Sequence, residues 1–152
     1  MELAREEARL LIFSAIDEVF SKTGLGPNDV NILITNWSIF CPSPSLSSMI
    51  VSKYKMRSTI KTFSLSGMGC SASLISVDLA SRLLQLHANS NALVISTEII
   101  TPDCYVGSEQ SMLVPACIFR LGCAAILLTN CWCSAPSPAY DIVRFGPQPS
   151  WL

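Results

Sequence analysis

A layered α/β fold is predicted for this 152-residue chain by the order in which two hydrophobic patterns occur along it. One pattern has the 3.6-residue period of an amphipathic helix, and the other is the short β-branched run of a buried strand. The two alternate, and 50% of the residues are apolar, which supplies a sizeable core at this length. We therefore expect one α/β domain over residues 1–130. After residue 130, prolines and a Cys-Trp-Cys sequence predict an irregular tail, residues 131–152.

The first predicted element is an amphipathic helix that ends near Lys22 and Gly24. A cation in the last turn and a glycine just beyond it are the usual end of a helix. The apolar residues recur at the spacing of one helical face: Ala8, Leu11, Ile12, Ala15, Ile16, Val19 and Phe20.

Strands and helices then alternate to the end of the domain. The segment 36–45 contains Pro42 and Pro44 and is predicted as a loop, because proline neither continues a helix nor donates to a strand ladder. The predicted strands are 30–35, 59–65, 92–97 and 124–129, and the predicted helices are 46–54 and 71–87, with a loop around Pro102 and Gly107 and a further segment at 112–119.

The helix predicted over 71–87 has an unusually narrow polar stripe. Its polar side chains Asp78, Ser81, Arg82 and Gln85 recur at helical spacing, and the rest of the surface is mostly apolar. Asp78 and Arg82 are spaced to pair across one turn. We expect this helix to be largely buried.

Charge excludes few functions and favours none. The formal net charge is −1, which gives no general reason to expect nucleic acid or an acidic membrane as a partner. One local cluster is basic: Lys53, Lys55, Arg57 and Lys61. A solvated face is the favoured interpretation of that cluster, and an anion site is the alternative.

The seven cysteines favour a reducing compartment over a disulfide scaffold, because their number is odd and the chain is long for that class. Charged residues such as Glu2 and Arg5 interrupt any apolar core of a secretory signal. No run approaches the roughly 20 apolar residues of a membrane-spanning helix, so we expect none.

Cys70 is the strongest candidate for chemistry. It lies where a strand gives way, through Gly67 and Gly69, to the first turn of a helix. Free backbone N–H groups and the helix dipole favour an anion there, which raises the fraction of reactive thiolate. The same amides, with Gly67, Gly69 and Ser71, are candidate donors to the oxyanion of a thioester under attack. From spacing alone, a buried and inert cysteine is an equally good interpretation.

A resemblance to a known family favours the first interpretation. The segments Gly67–Ala72 and Leu74–Ala80 resemble the nucleophile region of plant 3-ketoacyl-CoA synthases, the condensing enzymes of very-long-chain fatty acid elongation. Further matching segments follow in the same order: Pro42–Ser47, Met49–Lys55, Asn89–Glu98 and Phe119–Gly122.

The resemblance implies a thiolase-like α/β/α fold of two related halves, of which only the nucleophile-bearing half is expected here. It implies that Cys70 accepts an acyl group from acyl-CoA, that malonyl-CoA is the second substrate, and that no metal or other cofactor takes part. It also implies a homodimer, other elongase components as partners and an endoplasmic reticulum membrane location for full-length members, and no nucleic acid.

Several departures from the family pattern bear on activity. Ser66, Ser73, Ala116 and Cys123 stand where the family usually has Gly, Gly, Asn and Gly, and Ser73 is expected to crowd the acyl tunnel. The family's functional histidine and asparagine lie farther downstream. His87, the one histidine here, is about 17 residues along a helix from Cys70, or roughly 25 Å away, so it is expected to be a surface residue.

Two further features have mainly structural interpretations. Glu98, at a strand end beside Thr97, is a candidate active-site carboxylate, although a structural role is favoured. The Cys131-x-Cys133 pair lacks two further ligands at zinc-binding spacing, so a metal site is not expected.

The sequence therefore predicts an acyltransferase of the 3-ketoacyl-CoA synthase type, truncated and catalytically incomplete. Two alternatives stay open. One is a type III polyketide synthase-like condensing enzyme, and the other is a non-catalytic fragment that at most associates with a full-length partner.

Overall fold

A computed structural model describes residues 2–39, 42–101, 105–131 and 143–145. Its helices and strands, in chain order, are α1 (Glu2–Thr23), β1 (Ile32–Trp37), α2 (Leu46–Tyr54), β2 (Lys61–Ser66), α3 (Ala72–Leu86), β3 (Asn91–Glu98), α4 (Gln110–Ile118), β4 (Gly122–Thr129) and β5 (Val143–Phe145). None of the helices in these ranges is long and apolar enough to cross a membrane.

The strands form one mixed sheet in the order β2-β1-β3-β4-β5. The central strand β1 runs parallel to β2 and to β3, whereas β4 and β5 are added in antiparallel orientation. Because β1, β2 and β3 are parallel, the segments that follow their carboxyl ends lie at one edge of the sheet. The turn that carries Cys70 follows β2, and it therefore lies at that edge.

Helices cover both faces of the sheet, as the predicted α/β/α layering requires. Alternate residues of a strand point to opposite faces. Leu33, Trp37, Leu93 and Ile95 pack with α1 and α2 in the larger core, and Ile32, Ile34, Ala92 and Val94 pack with α3 in the smaller one.

The side chain of Asn130 fastens the end of α3 to the end of β4. Its Nδ2 donates to the carbonyl oxygens of Leu84 (2.6 Å) and His87 (2.7 Å), and its Oδ1 accepts from the amide of Ser90 (2.7 Å). Carbonyl groups in the last turn of a helix lack intrahelical partners, and the Asn130 amide supplies one.

The predicted elements are all present, with boundaries shifted by a few residues. The helix at 46–54 has the predicted bounds, and α1 ends before Gly24, whose φ of +70° suits glycine. The strand β5, which pairs with β4, was not predicted. The rest of the predicted tail after residue 131 lies outside the described residues, and the proposed boundary at 130 stays a prediction.

The prediction that the helix after Cys70 is largely buried was wrong for this chain. The buried residues of α3 are Ala72, Ser76, Ala80 and Leu84, a single line at four-residue spacing. Leu74 and Leu86 are 77% and 76% exposed. The sheet covers one side of the helix, and Leu74, Ile75 and Leu86 on the remaining surface are exposed.

Candidate functional site

Cys70 lies in an exposed turn between β2 and α3. A short 3₁₀ turn, Gly69–Ser71, leads directly into the helix, and the amide of Ala72 donates to the carbonyl oxygen of Gly69. The first amides of a helix have no intrahelical acceptor. The N–H groups of Gly69 and Cys70 begin this turn, and a role for them as donors to an anion stays a prediction. The predicted oxyanion donors Gly67, Gly69 and Ser71 lie in one turn with the thiol, but the Gly67 amide and the Ser71 hydroxyl already donate to backbone carbonyl oxygens.

The two glycines are required by backbone conformation and not by lack of space. Gly67 and Gly69 have φ values of +69° and +64°, in the left-handed region that favours glycine. No heavy atom lies within 4 Å of the position that a β-carbon would take at either residue. The outer side of the turn is therefore open to a substrate.

The amide of Gly67 donates to the carbonyl oxygen of Trp37, which ties the turn to β1. The Ser71 hydroxyl is occupied within the turn, where it donates to the carbonyl oxygen of Met68 (2.9 Å).

A chain of polar side chains lies between the sheet and the start of α3. The Oγ atoms of Ser73 and Ser96 are 2.5 Å apart, and Ser96 donates to Oδ1 of Asn36 (2.9 Å). The Nδ2 of Asn36 donates to Oγ of Ser76 (2.9 Å), which donates to the carbonyl oxygen of Ala72 (2.7 Å). The hydroxyl of Ser73 therefore points to the sheet, where it has a partner. The expectation that this serine crowds an acyl tunnel stays a prediction.

A second group of hydroxyls lies on the opposite face of β1. Thr35, Ser47 and Ser64 form a triangle with Oγ–Oγ separations of 2.8, 2.5 and 3.3 Å. It joins β1 to α2 and β2 rather than to α3. The two groups are separated because Thr35 and Asn36 are consecutive residues of a strand and point to opposite faces.

Glu98 holds the segment that follows β1. Its two carboxylate oxygens accept from the amides of Ser38 and Ile39, each at 3.0 Å. The favoured structural role is thus supported, but through loop amides and not through Thr97, whose hydroxyl donates to the carbonyl oxygen of Gly122. This carboxylate fixes the backbone next to the Cys70 edge of the sheet.

His87 lies at the far end of the sheet from Cys70. It follows the last residue of α3, whereas Cys70 precedes the first, and its Nε2 lies 2.6 Å from Nζ of Lys61 at the start of β2. Arg57, Lys61 and His87 line a cleft of about 340 Å³ at this amino-terminal edge of the strands. Part of the basic cluster therefore lines a cleft; the solvated face stays the favoured interpretation, and an anion site stays the alternative.

The other described thiols differ in exposure. Cys117 on α4 is exposed, Cys131 is half-buried, and Cys123 on β4 is buried. Burial raises the pKa of the Cys123 thiol to about 12, and a hydrogen bond with Thr97 offsets only part of that increase. Within the described ranges, no three potential metal ligands of the His, Cys, Asp or Glu type cluster together, and Cys133 lies outside those ranges.

Two segments, the Cys70 turn with the start of α3 and the helix α4, carry exposed apolar side chains. Met68 is 41% exposed beside the thiol, and Leu74 and Ile75 of α3 are exposed farther along the same helix. Every described side chain of α4 is exposed, and the apolar ones include Met112, Leu113, Val114 and Ile118. Exposed apolar side chains therefore lie in the Cys70 turn and in the helix that follows it.

Sequence reasoning missed Asn36, Ser76 and Ser96. Asn36 falls in the segment predicted as a loop, although β1 extends through it to Trp37, and Ser96 and Ser76 are ordinary polar residues of a predicted strand and a predicted helix. A signal existed in the adjacent polar pair Thr35-Asn36 at the end of a buried strand, because buried polar groups need partners. The identity of those partners depends on strand register, which the sequence does not reveal.

Comparison with known proteins identifies the relatives of this chain. Residues 1–145 match the family described as FAE1/Type III polyketide synthase-like protein. The chain is 62% identical over 130 residues to 3-ketoacyl-CoA synthase 6 of Arabidopsis thaliana, an alignment that covers 86% of this chain and 26% of that protein. It is 63% identical to 3-ketoacyl-CoA synthase 5 of the same plant over the same length. The chain thus spans about a quarter of the length of the relatives it matches.

Solved structures confirm the thiolase-like fold class. The chain is similar to 1,3,6,8-tetrahydroxynaphthalene synthase of Streptomyces coelicolor A3(2), a bacterial type III polyketide synthase, with a TM-score of 0.76 and 19% identity over 84% of this chain and 37% of that one. It is also similar to the type III polyketide synthase domain of Steely1 from Dictyostelium, with a TM-score of 0.71 and 20% identity over 88% of this chain and 35% of that one. At this identity the likeness concerns the fold alone. The resemblance to 3-ketoacyl-CoA synthases is confirmed, and the chain belongs to the FAE1/type III polyketide synthase-like family.

Proposed function

We propose that this chain carries the nucleophile of a 3-ketoacyl-CoA synthase and that Cys70 accepts the acyl group. The proposal rests on one observation: an exposed cysteine follows two left-handed glycines at the start of α3, in a chain 62% identical to a named 3-ketoacyl-CoA synthase. A thiolate exchanges readily with a thioester, so this position suits transfer of an acyl group from CoA.

In the proposed first step, the Cys70 thiolate attacks the carbonyl carbon of a long-chain acyl-CoA. A new carbon–sulfur bond forms, and negative charge develops on the carbonyl oxygen. In this proposal the amides of Gly69 and Cys70 donate to that oxygen. The bond to the CoA sulfur then breaks, and CoA leaves as a thiolate that takes up a proton. The product is an acyl thioester of Cys70.

The second step of the family reaction is condensation with malonyl-CoA and loss of CO₂. It needs groups that polarise the malonyl thioester, and His87 is not one of them because it lies at the opposite edge of the sheet. The aligned region covers about a quarter of the named relatives. We infer that condensation requires residues that those relatives carry outside the aligned region. The substrates are acyl-CoA and malonyl-CoA, without a metal or another cofactor.

For the full-length family we propose a homodimer that works with other elongase components at the endoplasmic reticulum membrane.

Two other functions remain as alternatives. A type III polyketide synthase-like enzyme is favoured only by the shared fold, whereas the 62% and 63% identities are to 3-ketoacyl-CoA synthases. A non-catalytic fragment that associates with a full-length partner is favoured by the exposed apolar side chains of α3 and α4.

Acylation of Cys70 is the direct test. The 152-residue chain is incubated with a long-chain acyl-CoA, and intact and peptide mass spectrometry locate the added acyl group. We expect the acyl mass on Cys70, its loss in Cys70→Ser and its retention in the matched control Cys117→Ser, because Cys117 is equally a free, exposed thiol.

Absence of acyl transfer, or transfer to Cys117 at the same rate, would contradict the proposed nucleophile. The same chain with malonyl-CoA added should give no 3-ketoacyl product. Formation of that product by this chain alone would contradict the inference that condensation needs residues outside the aligned region.

A further inference from the structure

The buried amide of Asn36 connects the sheet with the helix that begins after Cys70. Asn36 is 3% exposed and Ser76 is completely buried. Both ends of the amide are used: Oδ1 accepts from Ser96 of β3, and Nδ2 donates to Ser76 of α3, each at 2.9 Å. The contact with Ser96 follows from strand register, because Asn36 and Ser96 are directly paired across β1 and β3.

The hydrogen bonds run in one direction. The single proton of Ser96 is donated to Asn36, so in the 2.5 Å contact between Ser73 and Ser96 the donor is Ser73. At the other end, Ser76 donates to the carbonyl oxygen of Ala72. The order is Ser73 to Ser96 to Asn36 to Ser76 to Ala72. In a chain of this kind each bond polarises the next, and the loss of one member leaves buried groups without partners.

Both ends of this chain of bonds lie in the first turn of α3. Ala72 and Ser73 immediately follow the Gly69–Ser71 turn that holds Cys70, and the amide of Ala72 closes that turn on the carbonyl oxygen of Gly69. The first turn of the helix is therefore attached to β3 directly through Ser73, and to β1 through Ser76 of the next turn, which bonds back to Ala72. Movement of Ala72 or Ser73 would carry the Cys70 turn with it.

We propose that Asn36 is a positioning residue for Cys70, acting through Ser96, Ser73 and Ser76. It holds the first turn of α3, and with it the adjoining Gly69–Ser71 turn that contains Cys70. The proposal rests on the proposed role of Cys70 as the nucleophile. Asn36 itself touches neither the thiol nor a substrate.

The hydroxyl triangle on the other face of β1 provides a matched control. Ser47 is 5% exposed and bonded to Thr35 and Ser64, so its loss breaks a comparable polar group on the same strand. That triangle joins β1 to α2 and β2. Disruption of either group should lower the stability of the fold. Only disruption of the Asn36 group should change the reactivity of Cys70.

The experiment measures alkylation of Cys70 relative to Cys117 in the same molecule, by mass spectrometry after limited treatment with iodoacetamide near neutral pH. Wild type is compared with Asn36→Ala, Ser96→Ala, Ser96→Thr and Ser47→Ala, all in the same state of association. We expect Asn36→Ala and Ser96→Ala to lower the Cys70-to-Cys117 ratio by about threefold to tenfold, the equivalent of one or more buried hydrogen bonds. Ser96→Thr keeps the hydroxyl and should keep the ratio, as should Ser47→Ala.

An unchanged ratio in folded Ser96→Ala, or an equal fall in Ser47→Ala, would overturn the proposal. Thermal unfolding of each variant establishes that it is folded, and Ser96→Ala remains informative if Asn36→Ala does not fold. Acylation by a long-chain acyl-CoA is measured in parallel. If wild-type Cys70 is not acylated, the proposed function fails, while the alkylation ratio still decides the positioning role.

Discussion

The two faces of the central sheet differ in how completely they are covered. On one face, α1 buries a continuous apolar stripe, and its residues Ala4, Ala8, Ile12, Ala15, Ile16 and Val19 are at most 2% exposed. On the other face, α3 buries Ala72, Ser76, Ala80 and Leu84, while Leu74 and Leu86 are more than three-quarters exposed. The α1 face is closed by the chain's own residues, and the α3 face is not.

The covered face contributes mainly to stability, whereas the uncovered face contains the candidate site. The larger core, between α1, α2 and the sheet, needs nothing further to exclude water. The α3 face contains the hydrogen-bonded serines, Asn36 and the start of the helix next to Cys70, together with uncovered leucines. If Cys70 receives a long acyl chain, as we propose, it needs an apolar wall. We infer that in the relatives this wall is completed by residues outside the aligned quarter.

The largest expected effect tests this comparison with one substitution on each helix. Ile16→Ala empties a fully buried position on α1 and should lower the free energy of unfolding by about 2–5 kcal/mol, from lost burial and the cavity left behind. At a protein concentration low enough to keep the chain dissociated, Leu74→Ala removes a side chain that is 77% exposed and should change the free energy of unfolding by no more than about 0.5 kcal/mol. Urea denaturation of both variants measures the difference.

A large cost at Leu74 would mean that α3 is covered in solution, for instance by a second copy of the chain. Size-exclusion chromatography with light scattering examines that possibility directly. Exposed apolar patches larger than normal promote association. We expect the wild-type chain to associate and Leu74→Glu to associate less, whereas a stable monodisperse wild-type monomer would contradict the inference that this face requires a cover.

The sequence predicted the closed face better than the open one. The period of α1 and the runs of β1 and β3 are local patterns, and they identify a core because both partners lie in the chain. The narrow polar stripe of α3 correctly placed the Asp78–Arg82 ion pair, with 2.7 Å between Nε and Oδ2. The same stripe gave the wrong burial for Leu74, because an apolar surface indicates that a helix can be covered but not by which part of a protein.

The next largest expected effect is a loss of stability on substitution of Gly69, in the turn that contains Cys70. Gly69→Ala places a β-carbon on a residue with φ of +64° and should cost about 1–2 kcal/mol of unfolding free energy, from backbone strain alone because the space around it is empty. Gly69→Asn should cost less, because asparagine tolerates this conformation. Gly26→Ala is the matched control, since Gly26 has φ of −109°. Its added β-carbon would lie at an ordinary contact distance of 3.6 Å from Oδ2 of Asp29. Equal costs at Gly69 and Gly26 would contradict the strain argument.

The candidate site was predictable where it depends on adjacent residues and not where it depends on pairing. Gly67, Gly69 and Cys70 are neighbours in sequence, so their shared turn can be deduced from the order of the residues alone. Asn36 and Ser96 are separated by 60 positions and meet because β1 and β3 pair in one register. A shift of one residue would turn Asn36 to the other face of the sheet.

The smallest expected effect is a change in how stability depends on pH at high pH. It is measured with and without the buried Cys123 thiol of the closed face. Burial raises the pKa of Cys123 from 9.0 to about 12 in the folded protein, so above pH 9 the unfolded state releases a proton that the folded state retains. The stabilising contribution is complete below pH 9 and is lost as the pH rises towards 12, by up to about 1.4 kcal/mol per pH unit.

Burial and Asp17 also raise the pKa of Tyr54, so the pH dependence of wild-type stability contains contributions from both groups. Cys123→Ala removes one of them, and urea denaturation from pH 8 upwards should show a shallower loss of stability in this variant. Equal slopes in the two proteins would mean that Cys123 is reached by water, and the closed face would then be less complete than its packing indicates.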